Sequence, residues 1–304
     1  MARILVIKLG ALGDLVQAFG PFAAIRAHHP GDHITLLTTA PFAAFCAASP
    51  WFDAVVIDRR PPWWNIVGVV ALARRLRGFD FVYDLQTSGR SSRYFHLSGR
   101  PRWSGIARGA SHPHDNPERD RMHTRERQAD QLARAGIANV PFPDLSWLAA
   151  HGPVLDAPYA LLVPGAAPHR PAKRWPVAHF ASLARFLANA GIRPVIVGGA
   201  ADASLAAAIA RECPAALDMT GRTSLAELAG LAARARLAVG NDTGPMHLAA
   251  AMGCRALVLF SGASDPALTA PRGPDPGLVV VLRADDLATL PPGRVTGRVA
   301  ALLG

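Results

Sequence analysis

The turn best suited to binding a charged ligand spans residues 240–247, with the sequence GNDTGPMH. It follows a short apolar segment, residues 235–239, that predicts a buried strand, and Pro245 suits the first turn of a helix. The free N–H groups of a helix N-terminus and the helix dipole both favour negative charge. The turn is therefore a candidate phosphate site. An ordinary strand-to-helix turn, with Asp242 or Thr243 as the N-cap, is the alternative that the pattern leaves open.

Composition indicates which binding partners and which cellular compartment to expect. The 304-residue chain carries a formal net charge of +10, which favours nucleic acid, nucleotide or anionic lipid, although arginine richness also fits a GC-rich genome. No zinc-finger spacing or RNP-like aromatic motif supports nucleic acid. The three cysteines, Cys46, Cys213 and Cys254, are far apart and lack metal-ligand spacing, so no disulfide framework is expected. With no signal-peptide cleavage region and no apolar run that could span a bilayer, we expect a cytoplasmic protein.

Strand and helix patterns alternate along the whole chain. The apolar segments that predict strands are residues 3–9, 34–37, 54–57, 81–85, 159–163, 194–197, 235–239, 256–260 and 278–282. Helical patterns between them predict a doubly wound α/β architecture with right-handed crossovers. Proline-rich stretches around residues 141–158 indicate a domain boundary. We predict Rossmann-like domains over residues 1–153 and 154–304, with a last helix over residues 295–303 that could pack back on the first domain.

Two segments of the first half have an unusual composition. Residues 59–77 contain the pair Trp63 and Trp64 between arginines, followed by a helical pattern with a basic end. This composition is typical of an interfacial membrane contact, and an ordinary sheet-covering helix with both tryptophans packed beneath a loop is the favoured alternative. Residues 100–127 are rich in Arg, His, Pro and Gly, and their histidines fit no zinc spacing. We predict that they form a mobile basic loop over an anionic substrate.

Several common nucleotide and hydrolase motifs are missing from the sequence. Gly10 and Gly13 are separated by two residues and followed by Asp14, which does not match G-x-G-x-x-G. Neither a P-loop nor a G-x-S-x-G elbow occurs. No D-x-D pair occurs either, so a departing diphosphate would have to be met by helix N-termini, Lys, Arg or His rather than by a clamped metal.

Five motifs, in order along nearly the whole chain, resemble glycosyltransferase family 9, the ADP-heptose:lipopolysaccharide heptosyltransferases. They are residues 4–14 (ILVIKLGALGD), 84–86 (DLQ), 164–176 (PGAAPHRPAKRWP), 221–225 (GRTSL) and 240–248 (GNDTGPMHL). The resemblance implies a GT-B fold and metal-independent, inverting transfer from an ADP-sugar. Ligands of such sheets bind beyond the carboxyl ends of strands, so we expect the turns at residues 10–14 and 240–247 to face each other across a central cleft.

The resemblance also implies roles for single residues. Asp14 would be the general base that takes the proton of the acceptor hydroxyl, and Lys173 would neutralise the developing charge of the diphosphate. The donor-binding candidates are Gly165, Lys173, Asp202, Asp242, Thr243, Gly244 and His247. Helix capping is the alternative for Asp14 and, more strongly, for Asp202, whose alignment is loose. For Lys173 the alternative is a solvated loop lysine, and for His247 it is a structural histidine.

The acceptor region, residues 59–127, matches the family only weakly. Its candidate contacts, together with the first turn, are Gly13, Arg60, Gln86 and His123. The loop at residues 164–175 lacks the serine or threonine often found beside the phosphates, so phosphate contact there would depend on backbone N–H groups, His169 or Arg170. The sequence therefore leaves the acceptor position and the linkage open.

We predict an enzyme that moves a heptose from ADP-heptose to a lipopolysaccharide inner-core acceptor, with no metal, no cofactor and no nucleic acid. The basic charge fits an anionic acceptor and peripheral association with the inner face of the inner membrane. The alternatives are a GT-B transferase for another nucleotide sugar, such as UDP-GlcNAc or GDP-mannose, and a non-catalytic nucleotide- or polysaccharide-binding protein on the same scaffold.

Overall fold

The computed structural model describes residues 1–167 and 169–304 of the chain. Pro168, which belongs to the predicted loop at residues 164–175, lies outside the described residues. The chain divides into two compact units, Met1–Pro143 and Asp144–Gly304. The division therefore lies before the boundary predicted at residue 153.

The segment between these two positions is held by Arg234. Its guanidinium donates to the carbonyl oxygens of Ala149, His151, Gly152 and Pro153. These four bonds attach the linker to the second unit, which explains why the compact unit starts ahead of the proline-rich stretch.

The first unit is a parallel sheet with helices between its strands. The strands are β1 (Arg3–Ile7), β2 (His33–Thr38), β3 (Ala54–Ile57), β4 (Phe81–Asp84), β5 (Arg102–Gly105) and β6 (His112–Pro113). The helices are α1 (Leu12–Gln17), α2 (Phe19–His28), α3 (Ala40–Ala47), α4 (Ile66–Leu76), α5 (Gly89–Leu97) and α6 (Thr124–Arg134). The sheet order is β3-β2-β1-β4-β5-β6.

The second unit repeats this plan. Its strands are β7 (Tyr159–Val163), β8 (Arg193–Ile196), β9 (Leu217–Asp218), β10 (Leu237–Asn241), β11 (Ala256–Phe260) and β12 (Val279–Arg283). Its helices are α7 (Val177–Asn189), α8 (Ala203–Glu212), α9 (Leu225–Arg234), α10 (Gly244–Ala251), α11 (Pro266–Thr269) and α12 (Pro292–Leu303). Short 3-10 helices occur at Arg119–Arg121, Ser146–Leu148, Pro171–Lys173, Ala200–Asp202, Pro276–Leu278 and Leu287–Thr289. The sheet order is β12-β11-β10-β7-β8-β9.

The two sheet orders confirm the predicted doubly wound class. In each unit the first strand pairs with the fourth, and the connections run outward in opposite directions on either side of that pair. Ligands of doubly wound sheets bind at such switch points, beyond the carboxyl ends of the two strands. The switch points are the ends of β1 and β4 in the first unit and of β7 and β10 in the second. Four of the five sequence motifs contribute residues to these two places, whose position relative to each other across a cleft stays a prediction.

Local sequence explains several of the element boundaries. The strands β10 and β11 are buried at every residue, as expected for parallel strands covered on both faces. The sequence Ser224-Leu225-Ala226-Glu227 predicts a capping box at the start of α9, and the structure contains it, because Glu227 N donates to Ser224 Oγ at 3.2 Å and Ser224 N donates to Glu227 Oε2 at 2.7 Å. The buried residues of α12, Val295 and Val299, belong to the core of the second unit. Packing of this helix on the first unit stays a prediction.

The prediction of a loop over residues 100–127 is wrong. The segment contains β5, β6, the 3-10 helix Arg119–Arg121 and the start of α6, and His114 N donates to Gly105 O at 2.8 Å. The sequence did not reveal these strands because β5, with the sequence RWSG, contains no apolar run and β6 has only two residues.

No helix within the described residues combines the length and the apolar character needed to cross a bilayer.

The glycine in β10 tests the packing of the second switch point. A Cβ added to Gly240 would lie 2.5 Å from Val163 Cβ and 2.8 Å from Met246 Sδ. We therefore expect Gly240→Ala to lower the free energy of unfolding in urea by about 1–3 kcal/mol. The matched control is Gly297→Ala in α12, where a Cβ meets nothing within 4 Å and the change should stabilise by about 0.5–1 kcal/mol. Equal stability of Gly240→Ala and the wild type would contradict this close packing.

Candidate functional site

The first switch point is organised around Leu9, just beyond β1. Leu9 N donates to Gln86 Oε1 at 2.8 Å, and Leu9 O accepts from Arg60 Nη2 at 3.1 Å. Arg60 holds this position with a left-handed backbone, at φ 49°, and its own N–H donates to Asp58 Oδ1 at 2.7 Å. Two of the predicted acceptor residues, Arg60 and Gln86, therefore both bind the backbone of Leu9, which precedes the turn at residues 10–14.

Asp14 lies in the first turn of α1, directly after Gly13, and is partly exposed. Its Oδ2 accepts from Ala11 N at 3.3 Å. Within the described part of the chain, no hydrogen bond is formed to Oδ1. The carboxylate thus contributes to the helix start and still keeps one oxygen available, which is the condition under which a capping role and a base role can coexist.

Two cations that the sequence interpretation missed lie within electrostatic reach of Asp14. Burial lowers the pKa of Lys8, an effect that the Asp14 charge opposes and the Arg127 charge reinforces. Burial also lowers the pKa of Arg127, again against the Asp14 charge. Lys8 Nζ donates to Leu85 O at 3.1 Å. A lone lysine at the end of the apolar run ILVI is the signal that could have identified it, because such a charge is rarely buried without a role.

Asp84 fixes the loop that carries Gln86. Its buried Oδ1 accepts from Gln86 N and Thr87 N, both at 3.1 Å. Its Oδ2 is buried and has no hydrogen-bond partner among the described residues. Burial raises the pKa of this carboxyl to about 6, although the hydrogen bonds to it act in the opposite direction.

His123, the fourth predicted acceptor residue, is buried at the start of α6. Its Nδ1 accepts from Arg125 N at 3.2 Å, so the ring caps the helix. The helix α6 in turn packs against α1, which carries Asp14. Among the described residues, no group of three His, Cys, Asp or Glu side chains is arranged to hold a metal.

A buried ion pair occupies the second switch point. Lys173 Nζ lies 2.5 Å from Asp242 Oδ2, and the two side chains are 11% and 5% exposed. Ser264 Oγ donates to the same oxygen at 2.7 Å, and His247 Nε2 lies 3.9 Å from Oδ1. Burial would raise the pKa of Asp242, but His247, Lys173 and Ser264 outweigh burial and lower it to about 2. The alternative of a solvated loop lysine is therefore wrong for Lys173.

The helix after this pair begins with unused hydrogen-bond donors. Thr243 is the N-cap of α10 and Gly244 its first residue, but the Thr243 side chain forms no capping bond. Within the described residues, the backbone N–H groups of Thr243 and Gly244 donate no hydrogen bond. The buried Nδ1 of His247, one turn further on, likewise has no partner among the described residues. These donors, together with the helix dipole, suit an anion.

Asn241 ties the loop after β7 to this helix. Its Nδ2 donates to Pro164 O at 2.8 Å and to Gly165 O at 3.3 Å, while its Oδ1 accepts from Trp175 N at 3.0 Å. One buried side chain thus holds both ends of the loop at residues 164–175, and Lys173 lies near the second end. The two side chains that the sequence offered for phosphate contact in this loop, His169 and Arg170, are exposed, whereas Arg174 Nη2 donates to Ala166 O at 2.9 Å.

Asp202 lies against Gly165 at the ends of β7 and β8. A Cβ on Gly165 would be 2.5 Å from Asp202 Oδ1, so only glycine leaves room for this carboxylate. Asp202 holds the predicted N-cap position of α8, but it forms no capping bond to that helix. Its Oδ2 instead accepts from Gly199 N at 3.0 Å. The predicted donor residues are therefore gathered in two contiguous groups around one switch point.

Comparison with known proteins shows the family to which the chain belongs. A family model described as glycosyltransferase family 9 (heptosyltransferase) matches residues 69–285. The chain belongs to this family. This match confirms the family that the five motifs predicted, and the family is one of glycosyltransferases.

Relatives and solved structures agree with this membership. Lipopolysaccharide heptosyltransferase 2 of Salmonella typhimurium is 40% identical over 106 residues, which cover 33% of this chain and 30% of that protein. Lipooligosaccharide heptosyltransferase 2 of Haemophilus ducreyi is 24% identical over 302 residues, which cover 88% of this chain and 86% of that protein. An E. coli heptosyltransferase solved with ADP superposes with a TM-score of 0.82 at 21% identity, covering 99% of both chains. This likeness shows the GT-B fold, as predicted.

The buried carboxyl of Asp84 predicts an unusual dependence of stability on pH. Its pKa of about 6 in the folded chain exceeds the ordinary 3.8, so the folded state binds the proton more tightly than the unfolded state. The stabilisation is complete below about pH 4 and is lost as the pH rises through about 6, by on the order of 3 kcal/mol. We expect Asp84→Asn to remove this fall in urea unfolding measured from pH 4 to 7.

The matched control is Asp144→Asn. Ser146 N donates to Asp144 and lowers the pKa of that exposed carboxyl, so its titration lies below the measured range. This variant should keep the wild-type fall in stability between pH 4 and 6. The same fall in Asp84→Asn would show that another group causes it.

Proposed function

We propose that the chain transfers a heptose from ADP-heptose to an anionic lipopolysaccharide inner-core acceptor, with inversion at the anomeric carbon and without a metal. The observation that carries this proposal is the Lys173–Asp242 pair, 2.5 Å apart and buried beside the free N–H groups at the start of α10. A fixed ammonium and a helix N-terminus can together stabilise the negative charge of a leaving diphosphate, as a bound metal ion would otherwise do.

In this proposal the second switch point binds ADP. The diphosphate lies at the N-terminus of α10, where it accepts from Thr243 N and Gly244 N and faces the Lys173 ammonium. Asp242 holds that ammonium in place, and the free nitrogen of His247 adds a further donor when protonated. Because these donors are positioned before the reaction, little reorganisation is needed as charge develops on the leaving group.

Gly165 and Asp202 take the ribose side of the nucleotide. The missing side chain of Gly165 lets the Asp202 carboxylate lie against the backbone at this place, and one oxygen of Asp202 remains after its bond from Gly199 N. A carboxylate oxygen accepts hydrogen bonds from the two hydroxyls of a ribose.

The first switch point supplies the base and the acceptor contacts. The acceptor hydroxyl gives its proton to Asp14 Oδ1 while its oxygen forms a bond to the anomeric carbon. The bond between that carbon and the diphosphate oxygen breaks, and its electron pair leaves with ADP. Lys8 and Arg127 make the surroundings of Asp14 positive, which suits an anionic acceptor. Arg60 and Gln86, both hydrogen-bonded to the backbone of Leu9, supply polar contacts to the acceptor together with Gly13, and His123 caps α6, which packs against α1.

The acceptor class suggests where the enzyme works. A lipid-linked, phosphate-bearing acceptor and a net charge of +10 support a cytoplasmic enzyme that associates peripherally with the inner face of the inner membrane.

Substitution of the base tests the proposal. We expect Asp14→Asn to lower kcat by about 10²- to 10⁴-fold, because the amide cannot accept the proton, with ADP affinity unchanged. The control is Asp80→Asn, an exposed carboxylate of the same unit that lies at the start of β1 and β4 and should leave kcat near the wild-type value. Release of ADP from ADP-heptose in the presence of acceptor is the measurement.

Two outcomes would contradict the proposal. Unchanged turnover of Asp14→Asn would remove Asp14 as the base. A strict requirement for Mg²⁺ or Mn²⁺, seen as loss of wild-type activity in chelator, would contradict the metal-independent mechanism.

A further inference from the structure

The start of α4 exposes a cluster of large apolar side chains. Among the described residues, the exposed large apolar side chains are Met1, Ile57, Trp64, Ile66, Val67, Val70 and Val154. Four of these seven fall within residues 64–70, and we call Trp64, Ile66, Val67 and Val70 the apolar tip. Trp64, Ile66 and Val67 are 83%, 73% and 81% exposed. Contiguous apolar exposure of this kind marks an interaction surface rather than ordinary surface variation.

The segment that presents the apolar tip is firmly anchored. Trp63 packs against the core of the first unit and lies under the guanidinium groups of Arg90 and Arg93, 5.1 Å and 5.0 Å from its ring centre. Asn65 Oδ1 accepts from Gly68 N at 2.9 Å and caps α4. The favoured interpretation, in which both tryptophans pack beneath a loop, is therefore right for Trp63 and wrong for Trp64.

Arginines flank the apolar tip in a stretch of sequence that contains no acidic residue. Residues 59–79 contain no Asp or Glu but five exposed arginines. Apart from Arg60, which binds Leu9, these are Arg59, Arg74, Arg75 and Arg77, which we call the arginine band. Within the described part of the chain, none of these four forms an ion pair. Leu72 and Leu76 face the protein core, so the outer face of α4 is apolar at its start and basic at its end.

The spacing of these two groups matches the depth of a lipid headgroup layer. Ile66 and Arg74 are about 12 Å apart along the helix axis, at about 1.5 Å per residue. Interfacial elements bury their apolar side chains about 5–10 Å into the boundary of headgroups and acyl chains. With the tip at that depth, the arginine band lies at the level of the lipid phosphates, which its long side chains can reach.

We propose that the apolar tip of α4 inserts into the surface of an anionic phospholipid bilayer, with the arginine band on its phosphates. The positive charge selects an anionic membrane over a neutral one, and the tryptophan suits the interface because its ring is apolar with a polar N–H. The choice of a membrane as the partner rests on the proposed function, whereas binding itself requires neither nucleotide nor sugar. The two proposals can therefore fail separately.

Vesicle flotation of the full chain tests this inference. We expect the wild type to float with vesicles of phosphatidylethanolamine and phosphatidylglycerol, but not with vesicles of phosphatidylethanolamine and phosphatidylcholine. Trp64→Ala/Val67→Ser should weaken binding at least about tenfold through lost apolar insertion. Arg74→Gln/Arg75→Gln should weaken it about thirtyfold at low salt, and less at high salt, where the charges are screened.

Matched control variants distinguish loss of the apolar tip or the arginine band from a general loss of apolar surface or positive charge. Val154→Ser changes an apolar side chain that is 77% exposed in the second unit, and Arg294→Gln/Arg298→Gln removes the same charge from the exposed face of α12. Both should bind vesicles like the wild type. Circular dichroism verifies that every variant is folded, and the ADP affinity of each variant should equal that of the wild type.

Three results would overturn the inference. One is absence of wild-type flotation with anionic vesicles, and another is an equal loss in the controls and in the tip variants. The third is a wild-type dimer that does not float and that Trp64→Ala/Val67→Ser converts to a monomer, because a second copy of the chain would then cover the tip. None of these results would affect the turnover test of Asp14.

Discussion

The ion pair between Lys173 and Asp242 is the interaction on which the second unit's candidate site depends. Its partners are 69 residues apart in sequence and meet only because β7 and β10 are neighbours in the sheet. Asn241 completes the arrangement by holding both ends of the loop that carries the lysine. Removal of either charge would leave the other buried and unpaired, at a cost of about 3–5 kcal/mol. The same pair therefore links the sheet topology, the loop conformation and the charge offered to a ligand.

The first unit uses a lysine at the corresponding place in a different way. Lys8 follows β1 as the loop of Lys173 follows β7, but its ammonium donates to the carbonyl of Leu85. Burial lowers the pKa of Lys8, while Asp14 and Asp84 act to keep it charged. In the proposed mechanism, the ion pair with Asp242 keeps the ammonium of Lys173 fixed for a diphosphate in the second unit. In the first unit, Lys8 lacks such a pair and lies near Asp14, the proposed base, where it would act on an anionic acceptor.

The sequence revealed those features that depend on neighbours along the chain. Pro245 after a turn of small residues predicted the start of α10 correctly, and Ser224 with Glu227 predicted the start of α9. Contacts between residues far apart in the sequence leave no local pattern. The pairing of Lys173 with Asp242 and the contact of Asp202 with Gly165 could therefore not be predicted from residue spacing. The strand β5 was missed because it contains no apolar run, and β6 and β9 were missed because each has only two residues. Lys8 was overlooked although it interrupts an apolar run, and the exposure of Trp64 but not Trp63 depends on tertiary packing.

Calorimetric titration of the wild type and of Lys173→Gln with ADP, UDP and GDP tests whether Lys173 and the start of α10 bind the diphosphate of ADP. We expect the wild type to bind ADP more tightly than UDP or GDP, and we expect Lys173→Gln to lose at least about tenfold in ADP affinity through the missing charge. Preference for UDP or GDP would contradict the ADP-heptose assignment, and unchanged ADP affinity in Lys173→Gln would contradict the diphosphate site.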